Sequence, residues 1–244
     1  MLKRARVKLR EIFAGFTLLS VELIILLAVF TGALLAFILI AEMIFKKNKS
    51  GFDTAVFKFL AGHVSNVNTD IMEVFTFLGT HTFLIPANII LVAYFLLVKK
   101  HRWYSIKIPV VAITSLVLMF SLKYIFQRSR PLTPLLEQAR GYSFPSGHAL
   151  MSFTFYGLLI YIVWQNIKNI WLKWLGTIFL ALLVLAIGLS RVYLRVHYAS
   201  DVVAGYCVGC MWLLLSLWVL GKTEKFSRKK VAPIVEEKPS HTGN

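Results

Sequence analysis

The chain has little charge and few cysteines for its length. Of its 244 residues only 16% are charged, and only two are cysteines, Cys207 and Cys210. An average soluble domain is about one-quarter charged, so a soluble globular fold is disfavoured. Two cysteines cannot build a disulfide framework. Because they lie about one helical turn apart in an apolar stretch beside Gly205 and Gly209, we interpret them as small packing residues of a membrane helix rather than as a redox pair.

Acidic residues are scarce as well, with 11 against 27 basic residues and a formal net charge of +16. The basic residues flank apolar segments, which is the positive-inside pattern and predicts cytoplasmic N- and C-termini. This placement favours contact with anionic lipid over a nucleic-acid partner. Lys46, Lys47 and Lys49 depart from the pattern. The residues that follow it are Lys3, Arg4, Arg6, Lys8, Arg10, Lys99, Lys100, Arg102, Lys107, Lys168, Lys173 and those from Lys222 to Lys230.

Apolar residues are abundant, at 58% of the chain with a mean hydropathy of +0.71. A stretch of about 20 apolar residues crosses a bilayer, and the sequence contains six such segments. We therefore predict an all-α fold, a six-transmembrane helical bundle in one domain at 17–220. A basic cytoplasmic N-terminus at 1–16 precedes it, and a disordered cytoplasmic tail at 221–244 follows it. The predicted spans are 17–45, 83–98, 106–126, 149–164, 174–189 and 202–220.

Other features place the segments around these spans. The first apolar run is too long for a cleaved signal and is expected to stay as a signal anchor. Apolar residues from Phe52 to Val64 recur at helical spacing, which predicts an amphipathic helix on the membrane surface. A helical segment from Asp70 is expected to break near Gly79-Thr80 before span two begins.

Three short polar patches interrupt the apolar spans. The first closes span three, the second opens span four, and the third connects spans five and six. With cytoplasmic termini, all three lie on one extracytoplasmic surface. A membrane protein retains charge at such positions where it has partners or a function. The patches are Lys123 with Arg130-Pro131, Pro145-Ser146-Gly147-His148, and Ser190-Arg191 with His197 and Asp201.

Two histidines in these patches suit acid-base and nucleophilic chemistry. His197 and Asp201 are four residues apart, a spacing that puts both on one face of a helix, so that the carboxylate can orient the imidazole for attack. A purely structural hydrogen bond is the alternative for this pair. His148 lies in the first turn of span four, where it could protonate a departing oxygen.

The remaining patch residues form a predicted anion site. Ser146 is a good helix N-cap, and Gly147 allows close backbone approach at the positive end of that helix. Lys123, Arg130 and Arg191 would add three cations, and guanidinium groups match phosphoryl oxygens in a bidentate manner. Snorkelling explains one interfacial arginine, but it does not explain a group of cations beside two histidines.

The three motifs together resemble those of the type 2 phosphatidic acid phosphatase (PAP2) family, which shares its site architecture with vanadium haloperoxidases. The resemblance covers about residues 70–220 and implies an integral membrane lipid phosphatase. It implies that His197 attacks phosphorus to give a phosphohistidine, that Asp201 orients it and that His148 protonates the leaving group. The phosphate oxygens would be held by Lys123, Arg130, Ser146, Gly147 and Arg191.

No metal and no other cofactor is expected, because Asp201 is the only acid within the motifs and a two-metal phosphatase needs several carboxylates. A transporter should carry its polar residues along the middle of its spans rather than at one end. A non-catalytic scaffold would have no use for both histidines and Asp201. A haloperoxidase is expected as a soluble protein.

The expected partner is a lipid phosphate in a bacterial cytoplasmic membrane, and no obligate protein partner is evident. The resemblance allows phosphatidic acid, phosphatidylglycerol phosphate, undecaprenyl diphosphate or lipid A, and transfer to an acceptor other than water. Arg128, Arg140 and Arg195 add positive charge, and we hypothesise that Arg195 favours head groups with more than one phosphate. His63 and His81 are placed outside the site.

Overall fold

The computed structural model describes residues 2–46, 51–131, 134–135 and 141–231. Within these ranges the chain contains helices and no strand. Six helices are long and apolar enough to cross a membrane, which confirms the predicted six-span bundle. Short π-helical turns at Tyr94–Val98 and Ser227–Val231 extend two of them. The α-helices are α1 (Leu2–Phe45), α2 (Gly51–Ala61), α3 (Asn66–Leu78), α4 (His81–Ala93), α5 (Arg102–Phe126), α6 (Gly147–Asn166), α7 (Ile170–Tyr193) and α8 (Ala199–Phe226).

Helix α6 lies at the centre of the bundle and packs against α5, α7 and α8. Its closest neighbour is α8, and two glycines make that approach possible. A Cβ on Gly205 would lie 2.7 Å from the carbonyl oxygen of Ser146, and one on Gly209 would lie 3.1 Å from that of Leu150. The predicted small-residue packing face of this span is therefore confirmed. Cys207 and Cys210, on the same helix, are free thiols.

The predicted break at Gly79-Thr80 separates α3 from α4. Gly79 caps the end of α3. The Thr80 side chain caps the start of α4, because its hydroxyl oxygen accepts a hydrogen bond from the backbone amide of Phe83 at 3.3 Å. A Cβ at Gly79 would lie 2.6 Å from Ile187 of α7 and 3.2 Å from His148 of α6. The break thus places α3 against α7 and brings the chain behind His148.

The amphipathic segment forms α2, which packs on the bundle through part of its apolar face. Val56, Phe57 and Leu60 contact a buried cluster formed by residues of α6, α7 and α8, whereas Phe52 remains 49% exposed. The same helix turns one carboxylate inward, because Asp53 is only 3% exposed. A helix lying on the membrane surface, as predicted for this segment, would not be expected to carry a buried acid.

The three polar patches meet at one end of the bundle. Helices α5 and α7 end there, and helices α6 and α8 begin there. The backbone amide of Ser146 donates to the carbonyl of Asp201 at 3.0 Å, so the starts of α6 and α8 are joined directly. The structure thus brings the three patches together at one end of the bundle, as predicted.

The last span is longer than the sequence analysis predicted. Residues 221–231 were assigned to a disordered tail, but α8 runs to Phe226 and a π-helical turn follows it. Glu224 explains the extension, because its carboxylate pairs with the buried amine of Lys107 at 2.7 Å and with Arg228 at 2.9 Å. Lys47, Lys49, Arg140 and residues 232–244 lie outside the described residues.

Candidate active site

The first patch is shaped by the end of α5. Gln127 adopts a left-handed conformation with φ of 45°, which ends the helix. The loop before α6 then returns to the two cations of this patch. Lys123 Nζ donates to the carbonyl of Tyr142, and Arg130 Nε donates to that of Gly141 at 2.9 Å. Backbone carbonyls thus hold both cations beside the start of α6.

The second patch is the N-terminus of α6. Ser146 caps the helix, with its Oγ accepting from the Ala149 amide at 3.5 Å. Gly147 follows in a confined position, since an added Cβ would lie 2.5 Å from Met119 Sδ and 3.8 Å from Lys123 Cε. Small residues therefore keep the positive end of α6 beside Lys123.

The third patch is a short loop that presents His197. The backbone amides of Val196 and His197 both donate to the carbonyl of Arg191 at 3.2 Å, which folds the loop back on α7. His197 precedes α8, which begins at Ala199. The expectation that His197 and Asp201 share a helical face is therefore wrong in detail, because Asp201 instead caps the helix and reaches back over its N-terminus to the histidine.

The contacts of His197 define its tautomer. Its Nε2 lies 3.2 Å from Arg130 NH1, and a guanidinium group has only donors, so Nε2 is the acceptor and carries the lone pair. The proton therefore resides on Nδ1, which lies 3.3 Å from Ser143 Oγ and 3.5 Å from Asp201 Oδ2. The Nε2 lone pair of His197 thus faces Arg130, one of the three cations of the predicted anion site.

Burial keeps this imidazole neutral. His197 is 1% exposed, and burial lowers its pKa to about 3; the positive charges of Arg130 and Arg191 also lower it, whereas Asp201 raises it. Burial likewise lowers the pKa of Arg130, but a guanidinium group remains protonated at neutral pH. At pH 7 the site therefore pairs an uncharged histidine with cations, and the Nε2 lone pair is unprotonated and directed at Arg130.

Asp201 is held by three neighbours in addition to the histidine. Its Oδ2 accepts from Ser143 Oγ and from the backbone amide of Tyr198 at 2.9 Å, and its Oδ1 accepts from Arg128 NH1 at 2.5 Å. The side chain is fully buried. This carboxylate is therefore fixed on all sides, and its orientation fixes that of His197.

Two site groups have unpaired polar atoms. Arg191 NH1 donates to Thr76 Oγ1 of α3 at 2.7 Å, but its buried Nε has no hydrogen-bond partner among the described residues. The buried Nε2 of His148 has none there either. A buried polar atom without a partner costs about 1–3 kcal/mol, so native proteins rarely retain one without a use.

Several residues of the site were missed or undervalued by sequence reasoning. Ser143 lies between His197 and Asp201, and Asp53 and Ser200 stand behind Asp201. Arg128 was noted only as extra charge, but it is an ion-pair partner of Asp53 and Asp201. The one available signal was Asp53 itself, an acid at the start of a largely apolar helix.

His63, His81 and Arg195 lie outside the three motifs. His63 and His81 are exposed, and His63 Nδ1 bonds to the carbonyl of Phe59 at 3.0 Å. Arg195 lies in the loop before His197 with a left-handed φ of 56°, and its side chain is half-buried. Among the described residues no group of three or more His, Cys, Asp or Glu could hold a metal ion.

Comparison with known families matches residues 104–225 to the model of the PAP2 superfamily. These residues hold all three motifs and helices α5 to α8. The chain belongs to the PAP2 superfamily, as the motif resemblance predicted.

Individual relatives agree with this assignment. Phosphatidylglycerophosphatase B of Bacillus subtilis (strain 168) is 32% identical over 161 residues, which cover 65% of this chain and 77% of the relative. The undecaprenyl-diphosphatase of Sulfolobus acidocaldarius is 30% identical over 175 residues, covering 69% and 79%. A crystal structure of a transmembrane PAP2 type phosphatidylglycerolphosphate phosphatase from Bacillus subtilis superposes with a TM-score of 0.73 and 26% identity, covering 82% of this chain and 98% of that one. The chain is thus an integral membrane enzyme, a phosphatase acting on lipid phosphates.

Proposed function

We propose that this enzyme releases phosphate from a lipid phosphate monoester or diphosphate through a phosphohistidine at His197. The observation that carries the proposal is the contact of His197 Nε2 with Arg130 at 3.2 Å, while Nδ1 faces Asp201. This arrangement leaves a neutral imidazole lone pair among cations that would hold a phosphoryl group. A nucleophile oriented by a second group and facing an anion site is the general design of covalent phosphoryl catalysis.

In the first step, Nε2 of His197 attacks phosphorus and forms the N–P bond, while the P–O bond to the lipid breaks. The lipid oxygen takes a proton from the imidazolium form of His148, which becomes neutral, and leaves as the neutral alcohol, or as the lipid monophosphate when the substrate is a diphosphate. The ring of His197 becomes cationic as the bond forms. Asp201 stabilises that charge, since its carboxylate faces the protonated Nδ1.

In the second step, water attacks phosphorus and loses a proton to His148, the N–P bond breaks, and inorganic phosphate leaves. Lys123, Arg130 and Arg191 would bind the three equatorial oxygens in both steps, together with the Ser146 hydroxyl and the Gly147 amide. The unpaired Nε of Arg191 and Nε2 of His148 support this assignment, because phosphoryl and leaving oxygens would provide the missing partners.

The relatives suggest the class of lipid. Those named phosphatidylglycerophosphatase B and undecaprenyl-diphosphatase indicate phosphatidylglycerol phosphate and undecaprenyl diphosphate as the two leading substrates. The position of the site at one end of the bundle supports a substrate whose head group reaches the site while its chains remain in the bilayer.

We also propose that the site faces the extracytoplasmic side of a bacterial cytoplasmic membrane. The connections at the opposite end of the bundle carry basic residues outside any motif, which the positive-inside rule assigns to the cytoplasm, while Lys46 at the site end departs from that rule. Those segments are the turn before α5 with Lys99 and Lys100, the turn before α7 with Lys168, and the end of α8 with Lys222 and Lys225.

Purified protein in detergent is expected to release inorganic phosphate from phosphatidylglycerol phosphate and undecaprenyl diphosphate in the presence of EDTA. We expect kcat/KM for these lipids to exceed that for a soluble ester, glycerol 3-phosphate, by at least about tenfold, because remote binding energy from the lipid contributes to catalysis. Phosphate release measured over a panel with phosphatidic acid tests this. Activity on no lipid, or its complete loss in EDTA, would contradict the proposal.

Arg195→Gly is expected to lower kcat/KM for undecaprenyl diphosphate relative to phosphatidic acid by about fivefold, the loss of one charge-assisted contact to the second phosphate. The left-handed φ of 56° suits glycine, so the variant should fold at least as well. Arg195→Asn controls for the backbone, and Arg195→Lys retains the charge. An unchanged substrate ratio in both neutral variants would refute the specificity role.

A further inference from the structure

Asp53 is a buried acid whose three polar contacts all point to the catalytic centre. Its Oδ1 accepts from the backbone amide of Ser200 at 2.8 Å, and its Oδ2 accepts from the Ser200 hydroxyl at 2.7 Å. Oδ2 also pairs with Arg128 NH2 at 2.9 Å. The residue lies on α2, outside residues 104–225 that the PAP2 family model matches. A helix outside the matched region thus contributes a charge immediately behind Asp201.

Arg128 connects the two acids. Its NH2 bonds to Asp53 at 2.9 Å, and its NH1 bonds to Asp201 Oδ1 at 2.5 Å and to the Ser200 hydroxyl at 2.8 Å. The guanidinium group also stacks on the ring of Tyr198, with its Cζ 4.0 Å from the ring centroid. These contacts fix Arg128 between Asp53 and Asp201 and direct it away from the cations that would bind phosphate.

Asp53, Arg128 and Asp201 form a row of alternating charges that ends beside His197, and the order of these charges matters for the histidine. Asp201 must remain an effective negative charge if it is to stabilise the ring of His197 when that ring becomes cationic. An arginine paired with Asp201 alone would cancel much of that charge in a buried site, where electrostatic interactions are strong. Asp53 supplies the compensating negative charge on the far side of Arg128. The row Asp53, Arg128 and Asp201 therefore keeps a net charge of −1 next to the histidine.

The packing of α2 maintains this arrangement. Val56, Phe57 and Leu60 pack against the starts of α6 and α8 and the end of α7, and the rings of Phe57 and Tyr198 lie 5.8 Å apart. Helix α2 is therefore anchored by these apolar contacts and by the polar contacts of Asp53.

We propose that Asp53 is a positioning residue for catalysis, which offsets the charge of Arg128 so that Asp201 keeps its full effect on His197. This inference rests on the proposed phosphohistidine mechanism. It assigns to α2 a role in the chemical step and none in phosphate binding, because the contacts of Asp53 described above are to Ser200 and Arg128.

Asp53→Asn is the direct test, because asparagine keeps the shape and an acceptor for Ser200 but removes the charge. We expect kcat for phosphate release from phosphatidylglycerol phosphate to fall by about tenfold or more, as expected for removal of one charge near the reacting group. KM should change by less than about twofold, because substrate-binding residues are untouched. Asp70→Asn is the matched control, since Asp70 is an exposed acid on α3.

The double variant Asp53→Asn/Arg128→Gln separates electrostatics from structural support. Removing both charges restores the net charge of −1 at Asp201, so we expect kcat at least about threefold above that of Asp53→Asn, although more contacts are lost. A purely structural role predicts a double variant as slow as the single variant or slower, and that result overturns the inference. If Asp53→Asn does not fold, the double variant is compared with Asp201→Asn instead. A loss of kcat in the double variant equal to that in Asp201→Asn overturns the inference.

The outcomes also separate this inference from the mechanism on which it rests. A wild-type chain without phosphatase activity overturns both. An active wild type that loses activity in His197→Gln, together with an unchanged kcat in Asp53→Asn, overturns only the role of Asp53. Folding of each variant is checked by size-exclusion chromatography and thermal unfolding in detergent.

Discussion

Replacing His197 with glutamine is expected to reduce phosphate release from lipid substrates by at least about 10³-fold, because the variant has no imidazole to form the covalent intermediate. Glutamine fills a similar volume and can keep a hydrogen bond to Ser143 or Asp201, so the buried site should stay folded. The measurement is kcat/KM for phosphate release from phosphatidylglycerol phosphate, with thermal unfolding as the check on structure.

His63→Gln provides the matched control for this result. His63 lies at the same end of the bundle but is exposed and bonds only locally to the carbonyl of Phe59. We expect its activity to equal that of the wild type within about twofold, as is usual for surface substitutions. Retention of more than a few per cent of activity by a folded His197→Gln variant would refute the phosphohistidine mechanism.

His148→Gln is expected to cause a loss that depends on the leaving group. For a lipid phosphate monoester, whose alcohol must be protonated as it departs, we expect kcat/KM to fall by about 10²–10⁴-fold, the usual contribution of a general acid. For p-nitrophenyl phosphate the loss should be at least about tenfold smaller, because a phenolate of low basicity leaves without a proton.

The comparison also reports on the second step. With the activated ester, the His148→Gln variant should form the phosphoenzyme but hydrolyse it slowly, because in the proposed mechanism His148 also accepts the proton of water. Labelled phosphate should then remain on the protein in this variant and be absent from His197→Gln. Equal losses for both classes of substrate would contradict a general-acid role for His148 and leave it as a binding residue.

Hydropathy and motif spacing were sufficient to predict the bundle and the convergence of the site. Long apolar stretches define spans because the bilayer imposes a length, and continuous apolar segments of about 20 residues indicate helices, which satisfy their backbone groups within the segment. The break at Gly79-Thr80 could be predicted because glycine and a capping hydroxyl act through local geometry. Once the spans are ordered, the ends that carry Lys123, Ser146 and Arg191 fall on the same side without further information.

The contacts that support Asp201, and the contact that extends α8, could not be predicted from local sequence patterns. Arg128 is 75 residues from Asp53, and an ion pair at that separation has no local pattern. Ser143 adjoins a motif but resembles any loop serine in sequence. The end of α8 was placed too early for a related reason, since charged residues normally mark the end of a span, whereas Glu224 is compensated by Lys107 from another helix.

The bond from the Ser146 amide to the Asp201 carbonyl, together with the glycine contacts along α8, has a consequence for how the enzyme responds to its membrane. Bilayers of different thickness change the tilt of transmembrane helices. Because α6 and α8 are joined at the site and packed closely below it, we expect a change in thickness to tilt the two helices together. We therefore expect the distance between the start of α6 and His197 to change little with lipid composition, so that bilayer thickness acts mainly on the depth at which the substrate head group lies.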